Sequence, residues 1–72
     1  MTPRVRSYAE QEAARHGVDV AAVLGNDRHR KPARARQAVM RRLSDDGFTL
    51  GQIGGWLHRH HTTVLHAVRK GA

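Results

Sequence analysis

Thr49-Leu-Gly-Gln-Ile-Gly-Gly-Trp-Leu-His-Arg-His-His-Thr-Thr-Val-Leu-His-Ala-Val-Arg69 is the stretch whose reading decides the fold. Thr49-Leu50-Gly51-Gln52 has the T-x-x-Q form of a capping box, where the threonine oxygen and the glutamine side chain each satisfy a free backbone N–H. Phe48 before it and Ile53 within it suit a hydrophobic staple. The helix begun there carries Leu50, Ile53, Gly54 and Leu57. His58-Arg59-His60 forms a short polar connection. A last helix from about His61 is expected to bury Val64, Leu65 and Val68 with Ala67 between them, leaving His60, His61, Thr62, His66 and Arg69 mostly outward. Two short helices with a brief link, the second opening on polar groups, have the layout of a helix-turn-helix. The second helix of that motif lies in the major groove and reads base edges with its N-terminal side chains. Threonine supplies a hydroxyl for phosphate or base and a methyl for the thymine methyl, and histidine donates or accepts. A helix start also offers free N–H groups to a phosphate.

Upstream, the pattern is helical throughout. Residues 1–6 read as a flexible lead-in. Ser7-Tyr8-Ala9-Glu10 matches the S-x-x-E capping box, so a first helix is expected from there to about His16, with Tyr8, Ala9, Glu12 and Ala13 at helical spacings and Gly17 as a left-handed stop. Asp19 caps a short second helix carrying Val20, Val23 and Leu24 and ending at Gly25. Asn26 to Lys31 reads as a basic loop. Pro32 suits the first turn of a third helix over Ala33 to about Ser44, because its missing N–H costs nothing there. Ala35, Val39 and Leu43 recur every four residues in it, with Met40 and Ala38 beside them and arginines around the other sides. Asp45-Asp46-Gly47 ends it. No segment alternates at period two as a strand would. The fold class is all-α, a small bundle of about five helices, with residues 7–72 forming one helix-turn-helix domain.

Composition narrows the function. The chain has 72 residues, 13 Lys+Arg against 6 Asp+Glu and a net charge of +7, so it holds one domain with a thin core and a bias towards polyanions. Arg28, Arg30, Lys31, Arg34, Arg36, Arg41 and Arg42 fall in one stretch, and no carboxylate follows Gly47. Cysteine is absent, which excludes disulfides and thiolate zinc sites. No apolar run approaches the roughly 20 residues of a membrane span, and no signal peptide is evident. A soluble, cytoplasmic, nucleoid-associated protein is therefore expected.

The residues also carry a resemblance. Lys31-Pro-Ala-Arg-Ala-Arg-Gln-Ala-Val-Met40, Leu50-Gly-Gln-Ile-Gly54 and His61-Thr-Thr-Val-Leu-His-Ala-Val-Arg-Lys70 are similar to the C-terminal DNA-binding domain (domain IV) of the bacterial replication initiator DnaA. The likeness spans nearly the whole chain. It implies double-stranded DNA as the partner, with the last helix in the major groove and the basic loop in the minor groove. Counting back from Gln37 places Arg28 as the minor-groove arginine. Arg36 and Gln37 match an Arg-Gln pair near backbone phosphates, with Arg30, Lys31 and Arg34 in the same basic stretch. Leu50 and Gly51 match a Leu-Pro pair whose backbone approaches a phosphate, the proline here being glycine. Arg59, His61, Thr62 and Thr63 match the signature Arg-Asp-His-Thr-Thr, whose His and Thr contact thymine methyls and backbone. Arg69 completes the candidate DNA-binding set.

Two departures stand out. His60 replaces the signature aspartate; an aspartate only accepts, whereas a histidine can donate to guanine or phosphate. The preferred site should then differ from the standard DnaA box at about one base pair, worth roughly 1–3 kcal/mol. The turn after Ile53 also looks about one residue short. The ATPase domain that precedes this module in DnaA has no counterpart here, and no G-x-x-x-x-G-K-[ST] occurs. A stand-alone or excised module is expected, acting as a small transcriptional or replication regulator without ATPase activity and compatible with a protein partner in that machinery. A non-specific nucleoid-type binder and a protein-interaction adaptor are the competing classes.

Other chemistry fits poorly. On the last helix His61 and His66 lie five apart, off the spacing that metal ligands need, and no carboxylate is near, so neither a metal nor a cofactor is expected. His61 with Thr62 has no orienting acid for nucleophilic catalysis, so no catalytic residue and no enzyme are expected. Trp56 reads as a core or helix-contact residue rather than a base-stacking platform.

Overall fold

The structure is a computed structural model that describes residues 2–25 and 29–70. Its elements are α1 (Pro3–His16), α2 (Val20–Leu24), α3 (Arg30–Asp45), α4 (Leu50–Leu57) and α5 (His61–Lys70). Among the described residues none is strand, and no helix is long and apolar enough to cross a membrane.

Helix α3 is the axis of the bundle, packing against α1, α2, α4 and α5. Its apolar face supplies Ala35, Val39, Met40 and Leu43 to a core completed by Val5, Ala9 and Ala13 of α1, Val23 of α2, Ile53 and Leu57 of α4, and Val64 and Ala67 of α5. Met40, Leu43, Ile53 and Leu57 are essentially inaccessible, and burial at this level is worth about 1.5–3 kcal/mol per side chain. Leu65 and Val68, expected inside, are only half-buried, because Val64 and Ala67 occupy the centre of the inward stripe.

Two helix starts differ from expectation. Helix α1 begins at Pro3 rather than Ser7, so the expected flexible lead supplies its first turn: Thr2 is the N-cap residue, Pro3 takes a first-turn position, and Val5 is fully buried. Ser7 and Glu10 lie inside the helix and make i,i+4 pairs, Ser7 with Gln11 and Glu10 with Arg6. Helix α3 begins at Arg30 rather than Ala33, with Pro32 still inside the first turn, where a missing N–H is harmless. The helix ends follow expectation. At Gly17 and Gly47 the chain turns left-handed (φ 67° and 96°), and the next N–H, of Val18 or Phe48, reaches back to the carbonyl of Ala13 or Leu43.

Polar side chains join α1 to α3. The Glu12 carboxylate is buried and accepts from Arg42 Nη1 at 3.1 Å and Arg15 Nη1 at 3.4 Å. The Arg42 guanidinium also lies 4.0 Å above the Tyr8 ring, and the Tyr8 hydroxyl donates to Asp46. That hydrogen bond pushes the Tyr8 phenol above its ordinary value. Just beyond the end of α3 Phe48 meets Trp56 edge-on at 5.1 Å, which makes Trp56 a helix-contact residue.

Candidate nucleic-acid interface

The capping box at α4 forms as its sequence requires. The Gln52 N–H donates to Thr49 Oγ1 at 3.1 Å and the Thr49 N–H to Gln52 Oε1 at 2.9 Å. Leu50, half-buried, and Gly51, exposed, therefore occupy the first turn of a firmly started helix. At its other end His58 adopts the left-handed conformation (φ 55°) that glycine takes after α1 and α3. The Arg59 N–H closes on the Gly54 carbonyl at 2.8 Å, and the chain reverses into α5.

The start of α5 is built by His60. The Thr62 N–H points at His60 Nδ1 (3.3 Å) and Thr62 Oγ1 lies 2.8 Å from the same nitrogen, so His60 caps the helix much as an aspartate would. The His61 ring stacks against it with centroids 4.3 Å apart. Val64 and Ala67 anchor α5 in the core, which turns Thr62, His66 and Arg69 (i, i+4, i+7) to the exposed side. His60, His61 and Thr63 are exposed as well. Thr63 and His66 border a groove of about 350 Å³ whose opposite wall on α3 includes Gln37 and Ala33.

Along α3, Arg30, Arg34, Gln37 and Arg41 recur at i, i+4, i+7 and i+11 and so share one stripe. Arg30, Lys31 and Arg34 are exposed, and Arg41 and Gln37 are half-buried. Among the described residues Arg30, Lys31, Arg34, Arg41 and Arg69 make no ion pair. The ion pairs Arg6–Glu10 (3.1 Å), Arg42–Glu12 (3.1 Å) and Arg4–Asp46 (3.4 Å) lie instead on α1 and the C-terminal end of α3. Carboxylates are thus engaged on that side, whereas on the α3 stripe Gln37 faces Thr63 and His66 across the groove, and Arg30 and Lys31 border a second groove with Asp19 of the α1–α2 turn. Arg41 was no candidate in the sequence, although its spacing from Arg30 and Arg34 carried the signal.

Two candidates have other positions than expected. Arg36 is 5 % exposed, with Nε donating to the Val23 carbonyl and Nη2 to the Ala22 carbonyl, each at 2.8 Å. Helix α2 has five residues and few internal hydrogen bonds, so its last carbonyls need outside donors, and Arg36 supplies them. Arg59 is half-buried and its guanidinium donates to Leu57, His58 and Gly25 carbonyls at 3.2–3.3 Å, tying the turn to the end of α2. Arg28 lies outside the described residues.

Comparison with known proteins agrees with this architecture. The family model described as the bacterial DnaA protein helix-turn-helix matches residues 10–70. No curated protein and no solved structure matches the chain.

Proposed function

Because the chain belongs to the bacterial DnaA helix-turn-helix family, we propose that it recognises a particular sequence in duplex DNA and acts as a small regulator at promoter or origin sites. The observation that carries this is where the polar and basic groups lie. The exposed polar helix start, His60 to Thr63, meets the α3 stripe across a groove at Thr63 and Gln37, and the bases of that stripe make no ion pair among the described residues. In this reading α5 enters the major groove and presents His61, Thr62 and Thr63 to base edges. Arg30, Lys31, Arg34, Gln37 and Arg41 meet the flanking phosphates, with Arg69 and the α4 start at Leu50 and Gly51 on the backbone of the same site. Arg28 enters the adjacent minor groove. The activity is binding, without ATP hydrolysis, and its place is with the DNA of the cell.

Selection from a random duplex library at physiological salt tests the reading. A sequence-specific reader enriches one motif, related to the DnaA box. Thr62→Ala with Thr63→Ala is expected to weaken binding to that motif by more than about tenfold and to leave random DNA almost unaffected, since base contacts specify and phosphate contacts position. No enriched motif, together with affinity that collapses as salt rises, would instead make the chain a nucleoid-type binder. Little duplex affinity at any salt would favour an adaptor for the transcription or replication machinery.

A further inference from the structure

We propose that His60 determines one base of the recognition site as an obligate hydrogen-bond donor, its Nε2–H selecting an acceptor edge in the major groove, guanine foremost. The proposal rests on the reading of α5 as the major-groove helix and adds to it which way the proton points.

Proton counting on the cap gives the direction. The backbone N–H of Thr62 can only donate, and it points at His60 Nδ1 from 3.3 Å. Only the tautomer with an unprotonated Nδ1 accepts this N–H, and that tautomer is the one proposed. In that tautomer Thr62 Oγ1, 2.8 Å from the same nitrogen, is the donor in that contact too. A neutral imidazole has one N–H, and with Nδ1 accepting it resides on Nε2. Nε2 has no hydrogen bond among the described residues, and the His60 side chain is exposed. Turning the ring to offer Nδ1 outward would break both cap contacts and the stacking on His61.

The same count fixes Thr62. Its only hydroxyl proton is spent on His60, so towards DNA the oxygen offers lone pairs alone. The helix start thus presents a fixed pair, a donor at His60 and an acceptor at Thr62. Guanine displays two acceptors, N7 and O6, on its major-groove edge. Adenine sets an amino donor beside N7, and cytosine displays a donor only. A donor at His60 ranks guanine first and cytosine last.

Two substitutions at this position keep the cap and separate the polarities. In His60→Asn the amide oxygen takes over the cap while the NH₂ remains a donor. In His60→Asp the carboxylate caps equally well but has only acceptors to offer. Binding selection with the intact chain, H60N and H60D is expected to give one guanine position shared by the first two. In H60D that position changes to a base with an exposed amino group, the rest of the motif staying the same. Exchanging that guanine for cytosine should cost the intact chain about three- to tenfold, the size of one hydrogen bond, and should favour H60D. A long-range ¹H–¹⁵N spectrum of the free chain in mildly alkaline buffer should show Nδ1 unprotonated. A protonated Nδ1, or identical motifs for the intact chain and H60D, overturns the inference and leaves sequence-specific binding standing. Absence of any motif from the intact chain overturns both.

Discussion

Alanine at position 54 is expected to destabilise the chain by about 2–3 kcal/mol, whereas alanine at the adjacent position 55 should stabilise it by about 0.5–1 kcal/mol. Both glycines lie inside α4, where exchange for alanine ordinarily gains helix propensity. Gly55 follows that rule because a Cβ there meets nothing within 4 Å. At Gly54 the Cβ would stand 2.4 Å from the Arg59 carbonyl oxygen and 3.5 Å from the His61 nitrogen. These are backbone atoms of the turn, which cannot rotate aside as a side chain would. Making room means lifting the turn off α4, which lengthens the Arg59–Gly54 hydrogen bond and shifts the cap of α5. For a domain of this size the loss corresponds to a fall in Tm of about 10–20 °C. Thermal unfolding of the two variants side by side checks the claim. Stabilisation by both alanines would show that the turn does not press on Gly54.

That contact also marks the limit of what the sequence discloses. The boundaries of α2, α4 and α5 were legible because their signals are local: Asp19 and Gly25 around an apolar run, the Thr49–Gln52 box, polar residues ahead of Val64. The start of α1 is obscured in the sequence because Ser7-x-x-Glu10 imitates a capping box, while the signal that applies, threonine followed by proline at positions 2 and 3, lies further upstream. Arg36 looked like a surface base because helical periodicity places side chains around an axis. Its burial is decided by carbonyls of α2, 13 and 14 residues away, that no periodicity reveals. The short turn after Ile53 has the same character. Only the fold shows His58 in a left-handed position and the Arg59 carbonyl lying over Gly54. At the interface, residue types were readable and their commitments were not. His60 stood out as a departure from the signature, but the hydrogen bonds that fix its tautomer belong to the folded helix start.

Arg36→Ala should cost about 2–3 kcal/mol of stability and leave the salt dependence of DNA binding unchanged. The first half follows from what the guanidinium holds. Hydrogen bonds from a charged donor contribute about 1.5–3 kcal/mol, and the two from Arg36 go to the final carbonyls of a helix too short to persist alone. Without them α2 loosens, and Val23 is its one fully buried anchor in the core. The second half follows from counterion release. Each phosphate neutralised by a base steepens the fall of log K with log salt by about 0.9, so a side chain spent inside the fold adds nothing to the slope. Arg34→Ala provides the opposite signature. That exposed side chain makes no ion pair among the described residues, so stability should change by less than about 0.5 kcal/mol while the slope becomes shallower by about 0.9. Urea unfolding combined with salt titrations of duplex affinity, at a temperature where both variants are folded, separates the two roles. A stable Arg36→Ala protein with a shallower slope would return Arg36 to the phosphates, and an unchanged slope for Arg34→Ala would remove the basic stripe of α3 from the interface.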